Sequence, residues 1–335
     1  MKHSAVTIVD LAKKLGISPS TVSRALSDHP DVSKETKYLV KKLAEELHYK
    51  PNPIARSLKF SKTTTIGVIV PEIRHDFFSS AISGIEDVAY RCGYTIILCQ
   101  SNESYEREVV NANVLMHHRV AGMLISISEN TKSGEHFQDI IRRKIPIVFF
   151  DREFEDIPIS KVIVDDYKGA YEAVTFLIRK GYKRIAHISG PKELSICRRR
   201  KQGYLDALKN YNIPVDESLI INAGMRENDG YIAMDKILAS SNKPDAVFCI
   251  NDPVALGAFQ KIKESGLTIP NNIGIVGFTN NQITKFTDPP ITTVEQPSFE
   301  MGKLAVEILI HIIEDKIKEP VVKILDTKLI IRNSA

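Results

Sequence analysis

Residues 7–27 read TIVDLAKKLGISPSTVSRALS. Thr7 and Asp10 stand at the spacing of a capping box, in which the hydroxyl reaches the amide three residues on and the carboxylate reaches back. Val9, Leu11, Ala12 and Leu15 give a first helix its apolar contacts. Gly16 ends that helix where a left-handed residue is needed. Ser18-Pro19 then supplies an N-cap followed by a proline at the first helical position. The second helix, 19–26, turns Val22, Ala25 and Leu26 inward and leaves Ser20, Arg24 and Ser27 on its outer face. Two short helices across a glycine turn, the second with a polar outer stripe, describe a helix-turn-helix. Arg24 is placed to fork onto a guanine edge. On these residues alone, a small helical bundle with no role on DNA stays open.

Outward from this stretch, a third helix runs over about 33–47, with Val40, Leu43, Ala44 and Leu47 inside and Lys34, Lys37, Lys41 and Lys42 as basic groups. Residues 51–59, PNPIARSLK, are too few for a stable isolated helix in water. They lead into the polar stretch Ser61-Lys62-Thr63-Thr64-Thr65 and suit a helix that forms only when docked. Charge follows the same division. Residues 1–62 hold 12 Lys/Arg and 6 Asp/Glu, whereas the remainder holds 33 and 35. A basic arm on a near-neutral body points to nucleic acid for the arm and a small partner for the body.

The run at 7–27, followed by ELHYKPNPIARSLK at 46–59, closely resembles the lactose/galactose repressor family. The resemblance covers the whole N-terminal module, and the order of elements in the body agrees with it. It implies that Pro19, Ser20 and Arg24 read bases, with Pro19 limited to shape or methyl contact. Thr7, Ser18, Thr21 and Ser23 are further candidates for DNA contact. It implies that Leu58 wedges into the minor groove, a known means of kinking a duplex, with Ala55 and Lys59 lining the same contact. Without the resemblance, Leu58 reads more naturally as a core residue.

From Ile66 onward, continuous apolar strands alternate with helices, the pattern of parallel sheets covered on both faces. Some nine strands over this length suit two doubly wound lobes better than one sheet. The expected fold is an N-terminal all-α helix-turn-helix domain (1–50), a hinge helix and linker (51–64), and an α/β periplasmic-binding-protein-like body. Its N-terminal lobe is expected at 65–161 and 293–325 and its C-terminal lobe at 162–292 and 326–335. The resemblance implies three crossings, expected near 162–164, 292–294 and 325–327.

In such sheets ligands bind beyond the carboxyl ends of the strands. That rule nominates Phe77, Phe78, Ser101, Ser126, Asp151 and Arg152 in the first lobe, and Asn251, Asp252, Thr279 and Asn280 in the second. The resemblance adds Arg198, taken as the ligand-gripping arginine by its distance from Gly203-Tyr204. Each has a plainer reading. Asp252 before Pro253 makes a good helix cap, Phe77 and Phe78 fit a core, and the run 198–201 fits a solvated helix face. The family commonly carries an acid after the V-G-[YF] of a late strand, where it holds sugar hydroxyls. Here Val276-Gly277-Phe278 is followed by Thr279. This departure suggests a ligand more anionic than a neutral hexose, such as a sugar acid or sugar phosphate.

No G-x-G-x-x-G follows a strand, and neither G-x-x-x-x-G-K-[ST] nor G-x-S-x-G occurs, so no enzyme class is indicated and no catalytic residue, cofactor or metal is expected. Cys92, Cys99, Cys197 and Cys249 read as reduced core residues of a cytoplasmic protein. No apolar h-region follows Met1, and no apolar run approaches the ~20 residues of a membrane span. The resulting expectation is a cytoplasmic, carbohydrate-sensing transcription regulator, most simply a repressor. It would bind double-stranded operator DNA as a homodimer and respond to a small sugar-like effector. A solute-binding protein for transport is the competing reading, opposed by the basic helical module.

Overall fold

A computed structural model describes residues 6–47, 49, 63–240 and 243–335. The chain divides into two compact units, 1–63 and 64–335.

In the first unit, helices α1 (Ile8–Leu15), α2 (Pro19–Leu26) and α3 (Lys34–Glu46) enclose a small core of Leu11, Ala12, Val22, Ala25, Val32, Val40 and Ala44. Local chemistry sets each helix end. Thr7 and Asp10 form the capping box, and Gly16 is left-handed at φ 66°. The Ser18 hydroxyl accepts from the Thr21 amide at 3.1 Å, and Ser33 accepts from Thr36 at 3.1 Å. The expected hinge helix, with Ala55, Leu58 and Lys59, lies outside the described residues.

The second unit holds two sheets of identical strand order. The first contains β1 (Thr65–Val70), β2 (Thr95–Gln100), β3 (Gly122–Ile125), β4 (Ile147–Phe150), β5 (Ser160–Val164) and β11 (Val322–Leu325), ordered β11-β5-β4-β3-β1-β2. The other contains β6 (Ile185–Ser189), β7 (Ile220–Asn222), β8 (Ala246–Cys249), β9 (Gly274–Thr279), β10 (Thr292–Glu295) and β12 (Lys328–Ile330), ordered β12-β10-β9-β8-β6-β7. All pairings are parallel except β10 with β12. Buried Val, Ile, Leu and Phe fill the strands, as two-sided coverage requires.

Helices α4 (Asp76–Arg91), α5 (Tyr105–His117), α6 (Glu135–Arg142) and α11 (Ser298–Ile313) serve the first sheet. Helices α7 (Asp166–Arg179), α8 (Ser195–Asn210), α9 (Glu227–Ala239) and α10 (Asp252–Glu264) serve the second. Helices α4 and α11 cross at glycines: a Cβ on Gly84 would lie 2.1 Å from the Phe299 carbonyl, and one on Gly302 2.0 Å from that of Ala81.

Two expected lobe boundaries shift. Strand β5 pairs with β4 in the first sheet, Phe150 against Val162, so the chain leaves that lobe after Val164 and not before it. Strand β10 pairs with β9, Val294 against Phe278, so the return follows Glu295. An apolar strand looks the same in either sheet, and only its pairing decides membership. The third crossing falls between Leu325 and Lys328. Cys197 and Cys249 are buried, but Cys92 is exposed and not a core residue. Among the described residues no helix is long and apolar enough to cross a membrane.

Candidate functional site

In the first unit, Pro19, Ser20 and Arg24 lie exposed on one side of α2, opposite the buried Val22 and Ala25. Arg24 makes no ion pair among the described residues. Lys41 is tied to the Asp28 carboxylate at 2.8 Å, and Lys37 donates to the Asp28 carbonyl at 3.0 Å. Lys34 and Lys42 show no such tie among the described residues. Thr7 and Ser18 are exposed, but their hydroxyls already serve as helix caps. Thr21 and Ser23 are half-buried.

In the second unit, a cavity partly open to solvent lies where strand exits of both sheets face each other. Its walls include Phe77 and Phe78 at the start of α4, Asp151 and Arg152 after β4, Arg200 of α8, Asn251 after β8, and Thr279 and Asn281 at the end of β9. On the aromatic wall the two Phe rings meet edge-on at 5.0 Å, and Arg152 lies over Phe78 at 5.8 Å.

The floor of the cavity is charged. Arg152 is 5% exposed and donates to both Glu103 oxygens at 3.0 and 2.9 Å. Its Nε has no hydrogen-bond partner, the nearest Asp151 oxygen being 3.7 Å away. Burial pushes Asp151 up to about 6, against the pull of the Arg152 and Arg200 charges. Burial also pulls Arg152 down, but the adjacent Glu103 and Asp151 more than reverse this, and its guanidinium is held above its ordinary range. Arg200 is fully buried. It donates to Asp166 at 2.8 Å and the Ile250 carbonyl at 2.6 Å, and it stacks on Phe278 at 3.7 Å.

Of the residues nominated from sequence, Phe77, Phe78, Asp151, Arg152, Asn251 and Thr279 come together on the cavity wall. The Asn251 amide is committed, accepting from Val254 and donating to the Met225 carbonyl, each at 2.9 Å. The Thr279 hydroxyl donates to Gln296 at 3.1 Å. The other five do not line it. Ser101 is buried against Ser128 at 2.7 Å, and Ser126 is fully buried. Asn280 turns to Glu295 at 2.8 Å and Arg332 at 2.5 Å.

Asp252 is not the cap of α10, because Asn251 caps it. The Asp252 carboxylate instead accepts from the Thr293 hydroxyl at 2.6 Å and the Asn281 amide at 2.7 Å, pinning the loop after β9. Burial pushes it up to about 6, opposed by those hydrogen bonds.

Arg198 is corrected by helical geometry. It points outward, pairs with Glu155, and donates to the Lys192 and Glu193 carbonyls at 2.9 and 2.6 Å. The arginine that α8 brings to the cavity is Arg200. Ile196, Arg200, Gly203 and Tyr204 share one buried stripe of α8, and that periodicity was readable in the sequence. Glu103 was missed for another reason, although its partner Arg152 stood among the strand-exit candidates. Their pairing spans 49 residues and leaves no local signal.

Residues 7–52 match the family model described as bacterial regulatory proteins, lacI family, and residues 174–335 match a periplasmic binding protein-like domain. The HTH-type transcriptional repressor PurR of Vibrio atlanticus (strain LGP32) is 38% identical over 312 residues, 92% of each chain. The HTH-type transcriptional repressor CytR of Escherichia coli (strain K12) is 34% identical over 99% of this chain and 97% of its own. Among solved structures, a transcriptional regulator CelR–cellobiose complex superposes with a TM-score of 0.75 at 27% identity, covering 98% of this chain and 100% of that one. With a helix-turn-helix unit, a two-lobed body and relatives of this kind along almost its whole length, the chain belongs to the lacI family of bacterial regulatory proteins.

Proposed function

We propose that the cavity between the two sheets is the effector site of this transcriptional repressor. Its occupation sets how tightly a dimer holds operator DNA through the face of α2 that carries Pro19, Ser20 and Arg24. One observation carries the reading. Arg152 Nε and Asn281 Oδ1 are buried on the cavity wall without hydrogen-bond partners. A buried polar atom left unpaired costs about 1–3 kcal/mol, and a polar ligand offering a donor and an acceptor relieves both. CelR is described with cellobiose, and a small sugar suits a wall with two aromatic rings beside polar groups.

Ligand differential affinity supplies the control, because only binding that distinguishes two states of the body shifts their populations. Ion pairs already bridge the lobes: Arg199 with the buried Glu153 at 2.7 Å, and Arg74 with Glu227 at 3.4 Å. A ligand that changes lobe closure changes these contacts. We place the action in the cytoplasm, where the DNA is.

The test is a thermal-shift screen of neutral sugars, sugar acids and sugar phosphates, then operator binding by fluorescence anisotropy with each hit. A hit is expected to change operator affinity and to lose binding in Phe78→Ala. A transport solute binder would bind the same ligand with no effect on DNA.

A further inference from the structure

We propose that Glu103 is a charge filter. It holds Arg152 neutralised inside the cavity, so that the site admits uncharged polar ligands and rejects anions. The inference rests on the cavity being the effector site and adds the chemical class of what enters it.

The geometry is that of a closed pair. Glu103 is 7% exposed, and both its oxygens receive Arg152 Nη1. One of them also accepts the Glu129 amide at 2.7 Å, and the Glu103 carbonyl accepts from the Asn130 side chain at 2.9 Å. Glu103 sits at φ 60°, directly after Asn102 at φ 54°. A left-handed glutamate is sterically disfavoured by its Cβ and persists where surrounding contacts over-determine it. Here those contacts are the ones that aim its carboxylate at Arg152.

The second buried cation of the cavity is spent in the same way. Arg200 is closed onto Asp166, which is 1% exposed. Glu72 and Asp151 add two more carboxylates to the wall. Four carboxylates, Glu72, Glu103, Asp151 and Asp166, thus face two buried guanidiniums. Glu72 also has His75 at 3.1 Å, and Arg226, the remaining cation of the wall, is exposed at the rim. An anion entering this space adds like charge where screening by water is weak. Single polar atoms of the wall are left without hydrogen-bond partners, among them Arg152 Nε and Gln296 Nε2 as donors and Asn281 Oδ1 as an acceptor. These suit hydroxyl groups, and neither buried guanidinium is free for a carboxylate or phosphate to grip. The acid missing at position 279 therefore does not make the site anion-selective, because acids at 103, 151 and 166 stand in the cavity or directly behind it.

The experiment uses the full chain with inorganic phosphate, D-ribose 5-phosphate and D-gluconate at millimolar concentration. Calorimetry and melting temperature are read against sodium chloride of matched ionic strength. The wild type is expected to bind none of them. Glu103→Gln is expected to gain roughly tenfold or more in affinity for each, and Glu103→Gln/Arg152→Met to lose that gain. If Glu103→Gln is too unstable to titrate, phosphate is expected to raise its melting temperature while leaving the wild type unmoved. Wild-type binding of D-ribose 5-phosphate or D-gluconate overturns the proposal. So does a Glu103→Gln protein that neither gains affinity nor responds to phosphate. The effector-site reading fails differently, through a neutral effector whose binding survives Phe78→Ala, and the anion measurements read only the charge of the cavity.

Discussion

Asp151 shows how one buried side chain ties stability to pH. Its folded pKa of about 6 lies above the ordinary carboxylate value of 3.8. Between those values the folded chain binds the proton that the unfolded chain has released, so this group's stabilising contribution is full below pH 4 and lost as pH rises through 6. Asn keeps the shape and tolerates the left-handed backbone at φ 60°. Asp151→Asn is therefore expected to raise the melting temperature at pH 7.5 and leave it nearly unchanged at pH 4, which paired thermal melts check. A loss of stability at pH 7.5 would mean that the ionised carboxylate supports Arg152 more than burial penalises it. On α2, Arg24→Ala is expected to weaken operator binding by about 1–3 kcal/mol and relax preference at one base pair. Competition binding with single-base operator variants reads both effects.

At the scale of elements, helix ends and strands were legible because their causes are local. The Thr7–Asp10 box, Gly16 and the Ser18-Pro19 start depend only on neighbours, and each stands where the sequence put it. The strands of the body declared themselves by unbroken apolar runs. Illegible features depend on distant partners. The pairing of β5 and β10 decided two lobe boundaries, and the Glu103–Arg152 pair decided the charge of the cavity. Arg198 lies between these cases, since the stripe of α8 pointed to Arg200 while spacing from Gly203 was taken as the guide. The α4–α11 crossing gives an element-scale prediction. Gly84→Ala brings a methyl into the Phe299 carbonyl, so one helix must shift. Overpacking of this kind costs typically 1–3 kcal/mol. Urea denaturation is expected to show that loss, whereas Gly93→Ala, with open space around it but φ 77°, tests backbone strain alone.

For the whole molecule, the two units invite separable experiments. A ligand in the body stabilises it by about 2.7 kcal/mol at a hundredfold excess over its dissociation constant. Leu58→Ala, outside the described residues, is expected to lower specific operator affinity while leaving that stabilisation intact. Unchanged operator affinity would remove Leu58 from the DNA interface.

The interleaved threading of the two lobes constrains anyone who wishes to transplant effector specificity. The second sheet is assembled from residues 185–295 together with 328–330, and β11 of the first sheet stands between them in the chain. Arg332 and Ser334 then stitch the chain end back onto Thr284, Thr292 and Ile275. A chimera that exchanges one continuous block leaves the recipient's last strand bonded to a foreign edge. A working graft takes two separate segments, roughly 165–295 and 326–335, and keeps 296–325 from the recipient.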